Sequence, residues 1–259
     1  MTAPTSATDY SPAPGAAAFP RMVLAQATME ARLMMRNGEQ LLLAIVIPVI
    51  VLVGAVKGSA RLGLDLEHPA VDVFTPGVLA LAVMSTAFTS LAIATGFERR
   101  YGVIKRLGAS PLPRSGLLLG KVLALFVVEF AQLLVIGFVA QLMGWNPDLN
   151  VVATLATMIL GTAAFASLGL LVAGILRAEA TLAAANLIYL LLLVGGGVVL
   201  PSSAYGGFAT VARHLPSGAL GDAMRSALID GVTDTGALIL LAAWAGLGAL
   251  LTARTFSWE

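Results

Sequence analysis

The side chains that could act as catalysts are few, and their positions do not suit an active site. The chain has two histidines and no cysteine, which excludes thiol nucleophiles and cysteine-bound metals. A Ser–His protease inside a membrane would need its pair within apolar segments, whereas His68 and His214 lie in polar stretches between such segments. The nearby acids Asp65, Glu67 and Asp72 match no metal-ligand spacing and are typical of a solvated loop. The sequence therefore predicts neither an enzyme nor a metal site.

The segment "GLLLGKV", Gly116 to Val122, resembles a phosphate-binding loop but lacks two of its requirements. Such a loop needs four residues between its glycines and a Ser or Thr after the Lys, which binds magnesium. Here three residues separate Gly116 from Gly120, and Val122 stands in place of the hydroxyl. We therefore expect no ATPase in this chain, and interpret the two glycines as a small-residue contact between helices.

Four of the polar residues inside long apolar segments are candidates for a functional site, because polar groups are costly there and mark functional sites by default. They are Glu129, Gln132, Asn186 and Tyr189. Glu129 is the one acid deep inside such a segment, with Gln132 one helical turn away. Three roles are open for Glu129: lining a path for a cationic substrate, carrying protons, or bonding to another helix as a structural group. The four residues together form a predicted substrate path, although packing is the favoured role for Asn186 and Tyr189.

The composition indicates that the elements positioning these residues are membrane-spanning helices. Hydrophobic residues make up 58% of the 259 residues and charged residues only 11%, well outside the range of soluble domains. A bilayer requires about 20 mostly apolar residues per helix, and six segments qualify. They span about 40–56, 76–97, 115–143, 151–176, 181–200 and 236–253. The predicted fold is an all-α polytopic membrane protein, with residues 1–20 as a disordered tail and 21–259 as one transmembrane domain.

The distribution of basic residues predicts the orientation of these six helices. With six spans both termini share one side, and that side carries eleven of the 15 Lys and Arg residues. Because Lys and Arg accumulate on the cytoplasmic side, both termini are predicted to be cytoplasmic. The net charge of +1 gives no reason to expect a nucleic-acid partner.

Two segments outside the predicted spans have helical patterns. In residues 21–40 apolar residues recur at helical spacing, which predicts an amphipathic helix on the cytoplasmic membrane surface, or alternatively an extension of the first span. The stretch from Leu215 to Leu228 has Pro216 at its start and an apolar stripe that includes Leu220 and Met224. It predicts a short helix that packs at the outer membrane surface or dips partly into the membrane.

The loop between the second and third predicted spans has a pattern of its own. Tyr101, Ile104 and Leu107 recur at a spacing that would place them on one helical face, and prolines at 111 and 113 limit the helix. Basic residues occupy most of the other positions: Arg99, Arg100, Lys105 and Arg106. Glu98 is near the N-terminal end, where the helix dipole favours an acid. The alternative is a basic loop that only fixes topology, but topology explains neither the apolar stripe nor the prolines.

This loop resembles the cytoplasmic loop of ABC-2 type permeases, the membrane subunits of bacterial ABC exporters, including the daunorubicin-resistance type. The similarity rests on "FERRYGVIKRLGASPLPRSGLLLGK" and on the later "LPSGALGDAMRSAL". The matching positions are Glu98, Arg99, Gly102, the core Leu107-Gly108-Ala109-Ser110-Pro111-Leu112, and Gly120-Lys121. The order of these segments along the chain is also similar to that of the family.

The resemblance implies a permease that pairs with a second permease copy or a homologue and binds two cytoplasmic ATPase subunits. ATP and Mg would be bound by those subunits, with no cofactor in this chain. The loop helix would dock in a groove of the ATPase as a coupling helix, through residues Glu98, Arg99, Arg100, Tyr101, Gly102, Ile104, Lys105, Arg106 and Leu107. Its apolar face would fill the groove, and its basic residues would meet acids at the rim. Glu98 would pair with the ATPase or with the N-terminal amphipathic helix.

The resemblance also implies export across the bacterial plasma membrane, of a drug-like hydrophobic or amphipathic molecule or of a lipid. The alternative function is a stand-alone proton-coupled carrier or membrane scaffold that uses Glu129. A proton-coupled carrier would depend on the proton gradient, whereas the permease would depend on ATP.

Overall fold

The structure is a computed structural model that describes residues 15, 17–62, 66, 68–107 and 111–255. Within these ranges the regular structure is helical, with no strand. The helices are α1 (Phe19–Arg36), α2 (Gly38–Leu62), α3 (Ala70–Met84), α4 (Leu91–Arg100), α5 (Val103–Leu107), α6 (Arg114–Leu142), α7 (Val151–Ile175), α8 (Ala178–Gly195), α9 (Ala209–His214), α10 (Pro216–Leu228) and α11 (Thr235–Thr255). A π-helical segment, Ser85–Ser90, joins α3 to α4, and a 3₁₀ segment, Ser202–Phe208, precedes α9.

Five helical runs in the described part of the chain are long and apolar enough to cross a membrane. They are Ala70–Arg100, Arg114–Leu142, Val151–Ile175, Ala178–Gly195 and Thr235–Thr255, and they coincide with the last five predicted spans. The first predicted span falls in α2, whose apolar section, Ala44–Ser59, is shorter. The chain is thus a helical multi-pass membrane protein, and its sixth span stays a prediction. The predicted disordered tail lies almost entirely outside the described residues.

Two span boundaries differ from the prediction for reasons of backbone geometry. The second span was expected to begin at Pro76, but helix α3 begins at Ala70 and Pro76 lies inside it. Membrane helices tolerate such prolines because neighbouring groups satisfy the freed backbone. The fifth span was expected to continue to residue 200, but α8 ends at Gly195 and Gly197 has a φ of 71°, which a right-handed helix does not accommodate.

Burial separates the spanning runs into a centre and a periphery. The most apolar windows of Ala70–Arg100 and Val151–Ile175 are 72% and 61% buried, against 17% for Ala178–Gly195 and 22% for Thr235–Thr255. The first two runs therefore form the centre of the bundle. Helix α10 packs against α3, α7 and α11, with nearly all of its residues buried. Its apolar stripe therefore faces the protein, not a membrane surface.

The N-terminal helix α1 is separated from α2 at Asn37 and packs along α6. Val23, Gln26 and Glu30 form its buried face, whereas Leu24 is 60% exposed. The apolar stripe was expected to face the membrane surface, and that orientation stays a prediction. The contact depends on Gly120 of α6, where an added Cβ would lie 2.7 Å from Gln26 Cγ. The small-residue contact predicted at Gly116 and Gly120 is therefore present, and its partner is α1.

Replacing Gly120 by valine is expected to lower the free energy of unfolding by about 1–3 kcal/mol, because the new side chain overlaps Gln26 and separates α1 from α6. Thermal unfolding of the purified protein in detergent measures the effect. Gly137→Val is a matched control on the same helix, since the nearest atom to a Cβ there is 3.7 Å away, in Trp145. Equal melting temperatures for the two variants would contradict the contact.

Candidate functional site

The predicted coupling helix is shorter than expected and is separated from the preceding span. Helix α4 ends at Arg100, and Gly102 has a φ of 68°, a left-handed conformation that stops a helix and that glycine adopts readily. Only Val103–Leu107 then form α5. The segment from Tyr101 to Leu107 is called the coupling segment below. Residues 108–110 of the family-like motif lie outside the described residues.

The predicted apolar face of this segment is wrong in one respect. Because Gly102 interrupts the helix, Tyr101 does not share a helical face with Ile104 and Leu107. Ile104 is fully buried within the chain, whereas Tyr101 is 65% exposed and Val103 is 38% exposed. Lys105 and Arg106 are exposed as well. The surface open to a partner is therefore built from Tyr101, Val103 and the two basic residues, with Ile104 as an internal anchor.

The two arginines that precede the segment are engaged inside the chain. Arg99 donates hydrogen bonds to the carbonyls of Ala173 and Leu176 at the end of α7, the latter at 3.3 Å. Such carbonyls have no partner within their own helix, and a cation there also complements the helix dipole. Arg100 forms an ion pair with Glu179 at the start of α8. These two residues thus attach the end of α4 to the α7–α8 connection. Their predicted contact with acids on the ATPase stays a prediction.

Behind the coupling segment lies a buried charge cluster, formed by Glu30, Glu98 and Lys121. Lys121 Nζ is 2.7 Å from Glu30 Oε1 and 2.6 Å from Glu98 Oε2, and the lysine is only 1% exposed. Gln26 Nε2 also donates to Glu30 Oε1, at 2.8 Å. Glu98 therefore pairs inside the chain and reaches the N-terminal helix only through Lys121, in place of the predicted direct contact.

The charge cluster links three helices that the sequence separates widely. Glu30 belongs to α1, Glu98 to α4 and Lys121 to α6. Two carboxylates share one ammonium, so removal of the lysine would leave two like charges buried together. The cluster fixes the last turn of α4, and hence the start of the coupling segment, to two other helices.

Glu129 and Gln132 face the packed interior, and both are 1% exposed. Thr162 Oγ1 donates to Glu129 Oε2 at 2.7 Å, which joins α6 to α7. Gln132 Nε2 lies 2.9 Å from the Ala44 carbonyl and 3.0 Å from Thr86 Oγ1. Both glutamate and glutamine line a cavity of about 10 Å³, the size of a single water molecule. This closed geometry favours the helix-linking role of Glu129 over a role in a substrate path.

The other two residues of the predicted path lie elsewhere. Asn186 is exposed on α8, and its side chain donates to the Leu182 carbonyl of the same helix at 2.9 Å. Tyr189 is half-buried and hydrogen-bonds to Ser85 in the π-helical segment. The structure therefore brings Glu129 and Gln132 together but does not bring all four residues to one surface.

Replacing Thr162 by valine is expected to lower the free energy of unfolding by about 1–3 kcal/mol, since it leaves a buried carboxyl group without that donor. Glu129→Gln keeps an acceptor for Thr162 and is expected to be nearly neutral for stability and transport. Thermal unfolding in detergent measures the effect of Thr162→Val on stability. Thr28→Val is the control, because Thr28 is exposed and its hydroxyl donates to a carbonyl of its own helix. A folded Glu129→Gln protein without transport would instead support a direct role for the carboxylate.

Sequence reasoning missed the charge cluster. The sequence placed Lys121 among the cytoplasmic basic residues and in the Gly120-Lys121 pair of the family-like motif, and Glu30 on the polar face of the N-terminal helix, without pairing them.

Comparison with known proteins assigns the chain to a family. A family model described as ABC-2 family transporter protein matches residues 67–254, which is well over half of the chain. The match includes the coupling segment, α6 and the helices through α11. No curated protein matches the chain significantly. The chain belongs to the ABC-2 family of transporter membrane proteins.

Proposed function

We propose that the chain is the permease subunit of an ATP-driven exporter, located in a bacterial plasma membrane with both termini in the cytoplasm. Two separate ABC ATPase subunits supply ATP hydrolysis and bind ATP and Mg, and a second permease copy or a homologue completes the transporter. The family is one of transmembrane subunits that are not themselves catalytic, which agrees with this division of labour.

One observation carries the proposal: the coupling segment is exposed at its tip and fixed at its base. Tyr101 and Val103 are open to a partner, while Lys121 ties the preceding turn to α1 and α6. An exposed aromatic residue beside basic residues suits an apolar groove with an acidic rim. Closure of the ATPases would displace this segment, and the charge cluster would convey the displacement to the spanning helices for alternating access.

The packing around Glu129 and Gln132 bears on where a substrate would move. The described residues form a compact set of apolar helices, and Glu129 and Gln132 occupy a cavity too small for a substrate. Glu129 and Gln132 therefore do not line a substrate path in this conformation. We propose that a hydrophobic or amphipathic molecule, drug-like or lipid, moves along a surface completed by the second permease.

Transport in proteoliposomes tests the function. The chain is reconstituted with an ABC ATPase that co-purifies with it, and movement of a fluorescent amphipathic dye and a fluorescent phospholipid is followed. We expect ATP-dependent movement of at least one probe, lost when the phosphate-binding lysine of the ATPase is replaced and unchanged by a proton ionophore. Transport without ATP that collapses with the ionophore would show the proton-coupled carrier instead.

A further inference from the structure

A cavity of about 690 Å³ lies where the 3₁₀ segment, α9, α10 and the first turns of α11 meet. Its volume is in the range of sites that hold small organic ligands. It lies at the end of the bundle opposite the coupling segment. Asn150 at the start of α7 bonds to the Gly231 carbonyl just before α11, whereas Arg99 contacts the other end of α7.

The walls of this cavity differ in polarity. One side carries charged and hydroxyl side chains from the 3₁₀ segment, α9 and α10. The other side is apolar and comes from α11, with Ile239, Leu240 and Ala243. Ile239 is 71% exposed on a helix that is long and apolar enough to cross the membrane. The apolar wall therefore continues into the surface that α11 presents to acyl chains, and the cavity suits a molecule with a polar head and an apolar tail.

Two of the charged residues that line the cavity, Asp222 and Arg225, already have partners within the protein. Arg225 donates to the carbonyls of Val198 at 2.8 Å and Val199 at 2.6 Å, and lies 3.2 Å from Asp222 Oδ1. Burial lowers the pKa of Arg225 to about 10, against the opposing effect of Asp222, so the guanidinium stays charged at neutral pH. Asp222 also accepts a hydrogen bond from the Ser202 backbone N–H at 3.2 Å. This pair holds the wall in place and has little capacity left for a ligand.

Two further charges line the same cavity without an ion pair among the described residues. Arg213 is exposed at the end of α9. Asp234 caps α11 through one carboxylate oxygen, Oδ1, which accepts from the Ala237 N–H at 3.0 Å. Its other oxygen is not used in that cap. The cavity thus offers one cation and one anion from different elements, too far apart to form a salt bridge with each other.

We propose that this cavity binds a zwitterionic phospholipid from the adjacent leaflet, with the phosphate at Arg213, the ammonium at Asp234 and the acyl chains along α11. The cation and the anion in the cavity lining correspond in sign to the two charges of such a headgroup, and the apolar wall suits its tail. A purely anionic lipid would place its headgroup near Asp234 without a compensating ammonium. The site does not depend on which molecule the protein transports, so it goes beyond the proposed function.

Lipid retention by the purified full-length chain, measured by native mass spectrometry, tests the proposal. The probes are phosphatidylethanolamine, phosphatidylglycerol and diacylglycerol with identical acyl chains. We expect about tenfold tighter binding of phosphatidylethanolamine than of phosphatidylglycerol, which lacks the ammonium, and a further loss of about tenfold for diacylglycerol, which also lacks the phosphate. Equal retention of the three lipids, or preference for phosphatidylglycerol, would overturn the proposal.

Two substitutions assign the contacts. Arg213→Gln is expected to weaken phosphatidylethanolamine and phosphatidylglycerol binding about tenfold, and Arg213→Lys to restore most of it. Asp234→Asn retains the helix cap and is expected to weaken only phosphatidylethanolamine. Arg254→Gln, at the far end of α11, is the matched control and should change nothing. Unchanged phosphatidylethanolamine binding in folded Arg213→Gln and Asp234→Asn proteins, or an equal loss in the control, would refute the assignment.

Discussion

Replacing Lys121 by methionine is expected to lower the free energy of unfolding by about 3–5 kcal/mol, the cost of breaking a buried ion pair from one side. The lysine is 1% exposed and contacts Glu30 and Glu98 within 2.7 Å. Its loss would leave two carboxylates close together in a low-dielectric interior with no cation. We therefore expect a large drop in the melting temperature and in the yield of monodisperse protein.

Two further variants, a control and a rescue, test whether the loss of stability comes from the charge cluster. Lys57→Met removes an exposed lysine from α2 and is expected to leave the melting temperature nearly unchanged. A triple variant, Lys121→Met with Glu30→Gln and Glu98→Gln, removes all three charges and is expected to recover most of the stability. If Lys121→Met melts like Lys57→Met, the charge cluster does not hold α1, α4 and α6 together.

The second large effect concerns the exposed tip of the coupling segment. The double substitution Tyr101→Asp and Val103→Asp is expected to reduce ATPase association at least about tenfold, since it places two charges where an apolar groove would receive the segment. Both side chains are exposed and Tyr101 stacks on Phe97 at the surface, so the melting temperature should change much less than for a buried residue such as Ile104. Co-purification with the ATPase and ATP-driven transport are the measurements.

Variants of Ile104 and Phe208 serve as comparisons for this experiment. Because its side chain is fully buried, Ile104→Asp is expected to destabilise the protein itself and to report on folding more than on docking. Phe208→Asp introduces an acid at an exposed aromatic residue in the 3₁₀ segment and should leave ATPase association intact. Normal association of the Tyr101/Val103 variant would contradict a docking role for this surface.

Hydropathy located most of the spanning helices, because a helix that crosses a membrane is recognisable from its own residues. Each spanning helix must be apolar over about 20 residues whatever its neighbours are, so the last five spans were located from composition alone. The end of α8 was less predictable. Apolar residues continue to position 200, and only the left-handed conformation of Gly197 shows where the chain leaves the helix.

The candidate site was predicted less well, because it depends on contacts between distant residues. Lys121 meets Glu30 across 91 positions of the chain, and no local pattern indicates that pairing. The helical periodicity of Tyr101, Ile104 and Leu107 assumed an unbroken helix, which Gly102 prevents. Similarly, the sequence identified Arg99 and Arg100 as part of a basic segment. Their contacts with the α7–α8 connection depend on tertiary packing, which the sequence pattern does not show.

Site-specific cross-linking tests the central claim, that a separate ATPase docks on the coupling segment. The chain has no cysteine, so a single Tyr101→Cys substitution gives one position for a benzophenone-maleimide label. In membranes containing the ATPase, we expect irradiation to give a product of one permease and one ATPase chain from Tyr101→Cys and none from Phe208→Cys. A product of equal yield from Phe208→Cys, or none from Tyr101→Cys while the two proteins still co-purify, would contradict the account.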